Sequence, residues 1–203
     1  NKGGSSMAGI GIISNPHSKA NKGNSSRQDV FSYLLGQRGK AVSTKNLLEL
    51  KQAAINFRSQ DIDILAINGG DGTISCTISA FIHAYEDKKL PAIALLRGGT
   101  INTLAGNLNI KGSPEQNLFK LVERYSSKKR IKTIKLGTLS VGSQYGFIFA
   151  SGSVANFLQL FYKQKTNALG SLALIFKLAA SRFLYKPFYN KTIKSTRAKT
   201  CQS

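Results

Sequence analysis

The residues that could do chemistry cluster where apolar runs end. The run DILAING, starting at Asp63, leads into Gly69, Gly70, Asp71, Gly72 and Thr73. A turn that only reverses the chain needs one glycine. Three around a single carboxylate leave backbone open to close approach, and missing side chains let phosphate oxygens reach amide N–H groups. The run PAIALL is followed by Gly98, Gly99, Thr100, Ile101 and Asn102, a second small loop rich in donors. The run AGIGIIS ends in Asn15, Pro16, His17 and Ser18, where Asn15 and Ser18 offer hydrogen bonds and the next helix start offers free N–H groups. Three phosphate-compatible loops suggest a nucleotide site. Two plainer readings stand beside it: a glycine-rich turn after a strand is often structural, and Asp71 could cap the helix that follows. Neither G-x-x-x-x-G-K-[ST] nor G-x-G-x-x-G occurs.

The elements that would carry these loops follow from hydrophobic period. AGIGIIS, KAVST, DILAING and PAIALL read as strands, three of them as buried runs. Between them, Val30, Phe31, Leu34 and Leu35 mark one helical face. Leu47, Leu50, Ala54 and Phe57 mark a second, and Ile74, Ile78, Phe81, Ile82 and Tyr85 a third. A fourth helix opens at Ser113, Pro114, Glu115 and Gln116, with a cap, a first-turn proline and glutamine at capping-box spacing. The alternation implies an α/β fold, a Rossmann-like parallel sheet with helices on both faces. After residues 127–130 the character changes. Two strand-like runs around residues 131–152, helices over 154–163 and 172–185, and a strand over 192–201 suggest an incomplete second domain, a partial β-sandwich with helices. The expected division is a tag remnant at 1–6, a nucleotide-binding domain at 7–127 and a partial C-terminal domain at 128–203.

Composition bounds the partners. The chain has 203 residues and a net charge of +20, and from Lys111 onward 17 Lys and Arg face only Glu115 and Glu123. Such a field draws polyanions: anionic lipid headgroups, nucleotide phosphates or nucleic acid. No nucleic-acid-binding motif is present. Cys76 and Cys201 stand far apart without a histidine cluster, so neither a disulfide framework nor a zinc site is indicated. Cys76, on the third helix, reads as a small packed side chain, and His17 and His83 as structural or solvated. The Asn190 sequon has no secretory signal to go with it, and no run is long enough to span a bilayer.

NGGDGT after a strand, with NPHS upstream and GGTINTLA downstream, resembles the diacylglycerol kinase catalytic domain family, which includes bacterial lipid kinases and sphingosine kinases. The resemblance implies ATP bound by the N-terminal domain, a lipid acceptor bound with help from a C-terminal β-sandwich, and Mg²⁺. It assigns nucleotide contacts to Asn15, Pro16, Ser18, Thr44, Gly69, Gly70, Asp71, Gly72, Thr73, Gly99, Thr100 and Asn102, with Ser43 as the alternative to Thr44. Asp71 becomes the central carboxylate, and no metal ligand is assigned. The sequence departs from the family pattern at Lys19, where glycine is common, at Ser75 and Cys76, where Asn and Glu are common, and at Thr103, where aspartate is usual. The family's general base and acidic metal-site residues lie in the C-terminal domain, yet no Asp or Glu follows Glu123. A fragment of a longer protein fits that gap best. The function implied is an ATP-dependent lipid kinase, cytoplasmic and peripheral at the inner membrane face. The alternatives are a nucleotide- or polyanion-binding basic protein without kinase activity and a related kinase of a soluble substrate such as NAD.

Overall fold

The computed structural model describes residues 9–18, 21–23, 26–99 and 102–147. The chain divides into two compact units, Asn1–Ile148 and Phe149–Ser203, and the described residues lie in the first. The expected tag remnant, the helices over 154–163 and 172–185 and the strand over 192–201 lie outside the described residues.

The first unit is an α/β fold built on four parallel strands: β1 (Ile10–Ser14), β2 (Gly39–Ser43), β3 (Ile64–Asn68) and β4 (Ala92–Leu95), ordered β2-β1-β3-β4. Ile10 pairs with both Gly39 and Ile64, so β1 and β3 occupy the middle. Every residue of these two strands is buried, which explains why their sequences read as unbroken apolar runs rather than alternating ones.

Helices cover both faces. On one, Ile13, Leu65 and Ile67 meet α2 (Leu47–Ser59) through Leu50, Ala54 and Phe57, and α3 (Asp71–Tyr85) through Ile74, Ile78 and Phe81. On the other, Ile10, Ile12, Ile64 and Ala66 meet α1 (Arg27–Leu35) through Phe31 and Leu35, and α5 (Pro114–Ser126) through Leu118 and Val122. Residues one apart along a strand point to opposite faces, so Ile12 and Ile13 serve different layers. Val30 and Leu47 do not join these layers and are 39% and 61% exposed. Cys76 is also exposed, a correction to its expected packing. It faces away from the apolar stripe of α3, which Ile74, Thr77 and Ile78 fill.

Capping chemistry sets several helix starts. The Asn46 side chain accepts from Glu49 N at 2.9 Å at the head of α2. At α5 the capping box is complete, with Gln116 N donating to Ser113 Oγ and Ser113 N to Gln116 Oε1. From the last turn of α5, the Tyr125 hydroxyl donates to Asp63 Oδ2 at 2.5 Å, beside the start of β3. Burial, then that hydrogen bond and the carboxylate's charge, push the phenol up to about 12.

A short helix, α4 (Thr103–Asn107), follows β4 and has no counterpart in the hydrophobic pattern. Of the expected antiparallel pair only short strands form, β5 (Leu139–Val141) and β6 (Gln144–Gly146), joined through Gly142 and Ser143 rather than a Ser-Gln turn; residues 131–138, expected in the first strand, are not strand. Among the described residues no helix is long and apolar enough to cross a membrane.

Candidate functional site

In a doubly wound sheet of this order the crevice lies at the carboxyl ends of the strands, where neighbouring strands send their loops to opposite faces. That point is the β1/β3 junction: β1 leads to α1 on one face and β3 to α3 on the other. Asn15 bridges it. Its backbone N–H donates to Asn68 O at 3.1 Å, and its Nδ2 donates to Thr73 Oγ1 at 3.0 Å, tying the first loop to the central one. Its Oδ1 accepts from His17 N, and Ser18 Oγ donates to Asn15 O, so Asn15 and Ser18 form one turn. The helix itself begins at Arg27.

The two glycine-rich loops touch backbone to backbone. A Cβ on Gly99 would stand 2.2 Å from Gly70 Cα, and one on Gly98 would stand 2.3 Å from Asn68 Oδ1. A Cβ on Gly69 would meet Thr73 Cβ at 2.4 Å, and one on Gly70 would sit 3.2 Å from Gly99 Cα. Gly69, Gly98 and Gly99 are therefore demanded by protein approaching protein, while at Gly70 the neighbour need give only a few tenths of an ångström. Gly72 differs: a Cβ there would meet nothing within 4 Å. It stands exposed in the first turn of α3, which exposes free N–H groups and the positive end of the helix.

Behind the loops runs a buried polar network the sequence did not reveal. Asn68, fully buried at the end of β3, donates through Nδ2 to Ser14 Oγ and to Asn21 Oδ1, both at 2.9 Å. Arg27 Nη1 donates to the same Asn21 oxygen at 3.0 Å, and Arg27 Nε pairs with Glu115 at 2.5 Å. Burial works against the Glu115 carboxylate. Its own backbone N–H, the Ser113 hydroxyl and the Arg27 guanidinium outweigh that and hold its pKa below the ordinary value. Above this network a cavity of about 320 Å³ is lined by Ser14, Pro16, Asn21, Arg27, Gln28 and Ser43, among others. Of the two residues at the end of β2, Ser43 lines the cavity. Thr44 is buried beside it, its N–H donating to Ser14 O at 2.9 Å. A buried asparagine closing an apolar strand was the available signal for the network, because such a group must find partners.

Asn102 lies at φ 53° and is locked to Gly99 twice: Gly99 N donates to its Oδ1 and its Nδ2 donates to Gly99 O, each at 2.9 Å. Thr100 lies outside the described residues. Asp71 does not cap its own helix. Its carboxylate turns to α4 and accepts from Thr103 N at 3.0 Å and Leu104 N at 3.2 Å. Among the described residues no three His, Cys, Asp or Glu gather as a metal site. Asp71 is the one carboxylate of the loop cluster, and each of its oxygens already accepts a backbone N–H.

A family model, the diacylglycerol kinase catalytic domain, matches residues 9–139. The chain belongs to this family. Comparison with curated proteins gives no match. Among solved structures, two from Bacillus anthracis str. Sterne, provisionally assigned as diacylglycerol kinases, are 16% and 17% identical. They cover 59% and 60% of this chain and 43% and 42% of their own, with TM-scores of 0.44 and 0.46. A third, described as a diacylglycerol kinase from the same organism, is 17% identical over 60% of this chain and 42% of its own, with a TM-score of 0.44. The chain spans less than half the length of these structures.

One departure from the diacylglycerol kinase pattern has a structural use. Ser75 Oγ donates to Tyr145 O at 2.7 Å, and one turn on, Ser79 Oγ accepts from Tyr145 N at 2.8 Å. A further turn along, His83 Nε2 lies 2.7 Å from Ser143 O. Spaced four apart on one face of α3, these side chains dock the β5–β6 hairpin onto the helix that carries the central loop.

Proposed function

We propose that the chain is the nucleotide-binding portion of an ATP-dependent lipid kinase, with residues 7–127 holding ATP and residues 128–203 facing the lipid. The phosphates lie along Gly69–Thr73 and the Gly99, Thr100 and Asn102 loop, with Asp71 between them. The nucleoside extends past Asn15, Pro16 and Ser18 towards Ser43 and Thr44. In the reaction, a lipid hydroxyl oxygen bonds to the γ-phosphorus as the bond to the ADP oxygen breaks, and the hydroxyl proton passes to a base. Positioning and neutralisation of charge supply most of the rate in such transfers. The chain has no Asp or Glu after Glu123 to act as that base, so binding rather than transfer is the activity to test in it.

The observation that carries this reading is Gly72: family membership predicts phosphate at this turn, and Gly72 is the loop glycine that protein contacts do not explain. The enzyme works in the cytoplasm against an anionic membrane surface, in keeping with the exposed run of Lys128, Lys129, Arg130, Lys132 and Lys135. Calorimetric titration with ATP and Mg²⁺, beside Gly70→Asp, tests it. Gly70 has extended φ/ψ and its new Cβ needs only a few tenths of an ångström from Gly99, so the variant folds while its carboxylate repels phosphate. Saturable binding lost in the variant supports the reading, and equal affinity in both refutes it. The same basic run favours a second reading, polyanion binding without kinase activity. Oligonucleotide binding that falls steeply with salt and ignores ATP would establish that instead.

A further inference from the structure

We infer that Asp71 is a positioning residue: its carboxylate is the clasp that holds the start of α4, and with it Gly99 through Asn102, against the head of α3. It is not a carrier of metal.

The first N–H groups of a helix have no partner within it, and a five-residue helix gains little from its own hydrogen bonds. Such helices take their cap from the residue before them. Asn102 cannot serve, because it lies in the left-handed region and spends both side-chain atoms on Gly99. Asp71, 32 residues earlier, replaces it, one oxygen receiving Thr103 N–H and the other Leu104 N–H. Directly beneath, Gly70 and Gly99 are in backbone contact. Clasp and contact together fix one glycine loop relative to the other. The geometry explains a carboxylate at this place: it accepts both N–H groups at once. Asparagine accepts one and turns an NH₂ donor towards the second, and glutamate carries the charge a methylene too far.

The consequence for ligand rests on the nucleotide reading above. A loop set by the clasp loses affinity for ATP when the clasp opens, whether or not Mg²⁺ is present. Amide hydrogen exchange on the nucleotide-free chain tests the clasp directly. In the wild type, Thr103 and Leu104 exchange slowly. In Asp71→Asn and Asp71→Glu they exchange at least about tenfold faster, a factor worth ~1.4 kcal/mol, while Ile67 in the central strand stays protected. In titrations, ATP affinity falls by the same factor in Mg²⁺ and in EDTA. Fast exchange at both amides in the wild type, unchanged exchange in the variants, or an affinity loss confined to Mg²⁺ would each overturn the inference. The first of these needs no variant to fold. If ATP binds neither wild type nor variants, the nucleotide reading fails and the exchange data still decide the clasp.

Discussion

Gly72→Ala separates the two reasons a glycine can stand in a turn. Apart from its chain neighbours and the backbone of its own helix, no heavy atom lies within 4 Å of the new methyl, and the residue sits in the first turn of α3, so packing offers no resistance. Glycine in a helix is worse than alanine by roughly 0.5–1 kcal/mol, through the entropy of the unfolded chain. The first turn lies at the lower end, so the variant should gain about 0.5 kcal/mol, which for a chain of this size raises Tm by about 1–2 °C. Ligand binding should go the other way. Side-chain bonds on a helix tilt towards its N-terminus, so the methyl stands over the free N–H groups where phosphate would approach. Hydrogen bonds to a charged partner are worth roughly 1.5–3 kcal/mol, so losing one lowers ATP affinity about 10- to 100-fold. Thermal unfolding with and without ATP, beside titration calorimetry, measures both. A variant that is more stable and binds ATP as the wild type does would refute the reasoning, because nothing would then need the open backbone at this position.

Other expectations follow from the contacts. Gly99→Ala places a methyl 2.2 Å from Gly70 Cα, and forcing the loops apart should cost about 1–3 kcal/mol in denaturant unfolding. Tyr125 holds its proton in the folded chain up to about 12 but releases it near 10 when unfolded. The folded chain therefore binds more protons between those values, and stability falls as pH rises through them. Tyr125→Phe should flatten that decline, read from melting temperatures between pH 9 and 12. Glu115 titrates below its ordinary value, so its contribution is present at neutral pH and lost as pH falls through its folded pKa. Wild type should be the more stable at pH 7 and converge with Glu115→Gln in acid, as judged by urea unfolding across that range.

Strands β1 and β3 and the buried stripes of α2, α3 and α5 were legible because burial imposes a period that composition records directly. The capping box of α5 was legible for a similar reason: Ser113 and Gln116 lie three residues apart and act on each other. Val30 and Leu47 misled because each lies near the start of a helix, where a side chain can overhang the end instead of the sheet. Helix α4 was invisible because its capping group comes from Asp71, far away in sequence. The network through Asn21, Asn68, Arg27 and Glu115 was hidden likewise, with Arg27 and Glu115 separated by 88 residues. The glycines of the loops were found, but Gly99 answers to Gly70 and Gly98 to the backbone beside Asn68, far away in sequence, which no local pattern could state.

The place of β1 in the sheet governs how the molecule can come into being. Its two neighbours are β2 and β3, so a strand synthesised before either partner sits at the centre of the finished sheet with Ile10 beside Ile64. Until β3 emerges, β1 has no hydrogen-bonding partner along one edge. Parallel pairing over such a span is slow, since the loop must close before any contact forms. The nascent chain thus carries an apolar strand with one unpaired edge through the synthesis of two helices. A chaperone that binds short apolar segments should hold residues 10–14 and release them when residues 64–68 arrive.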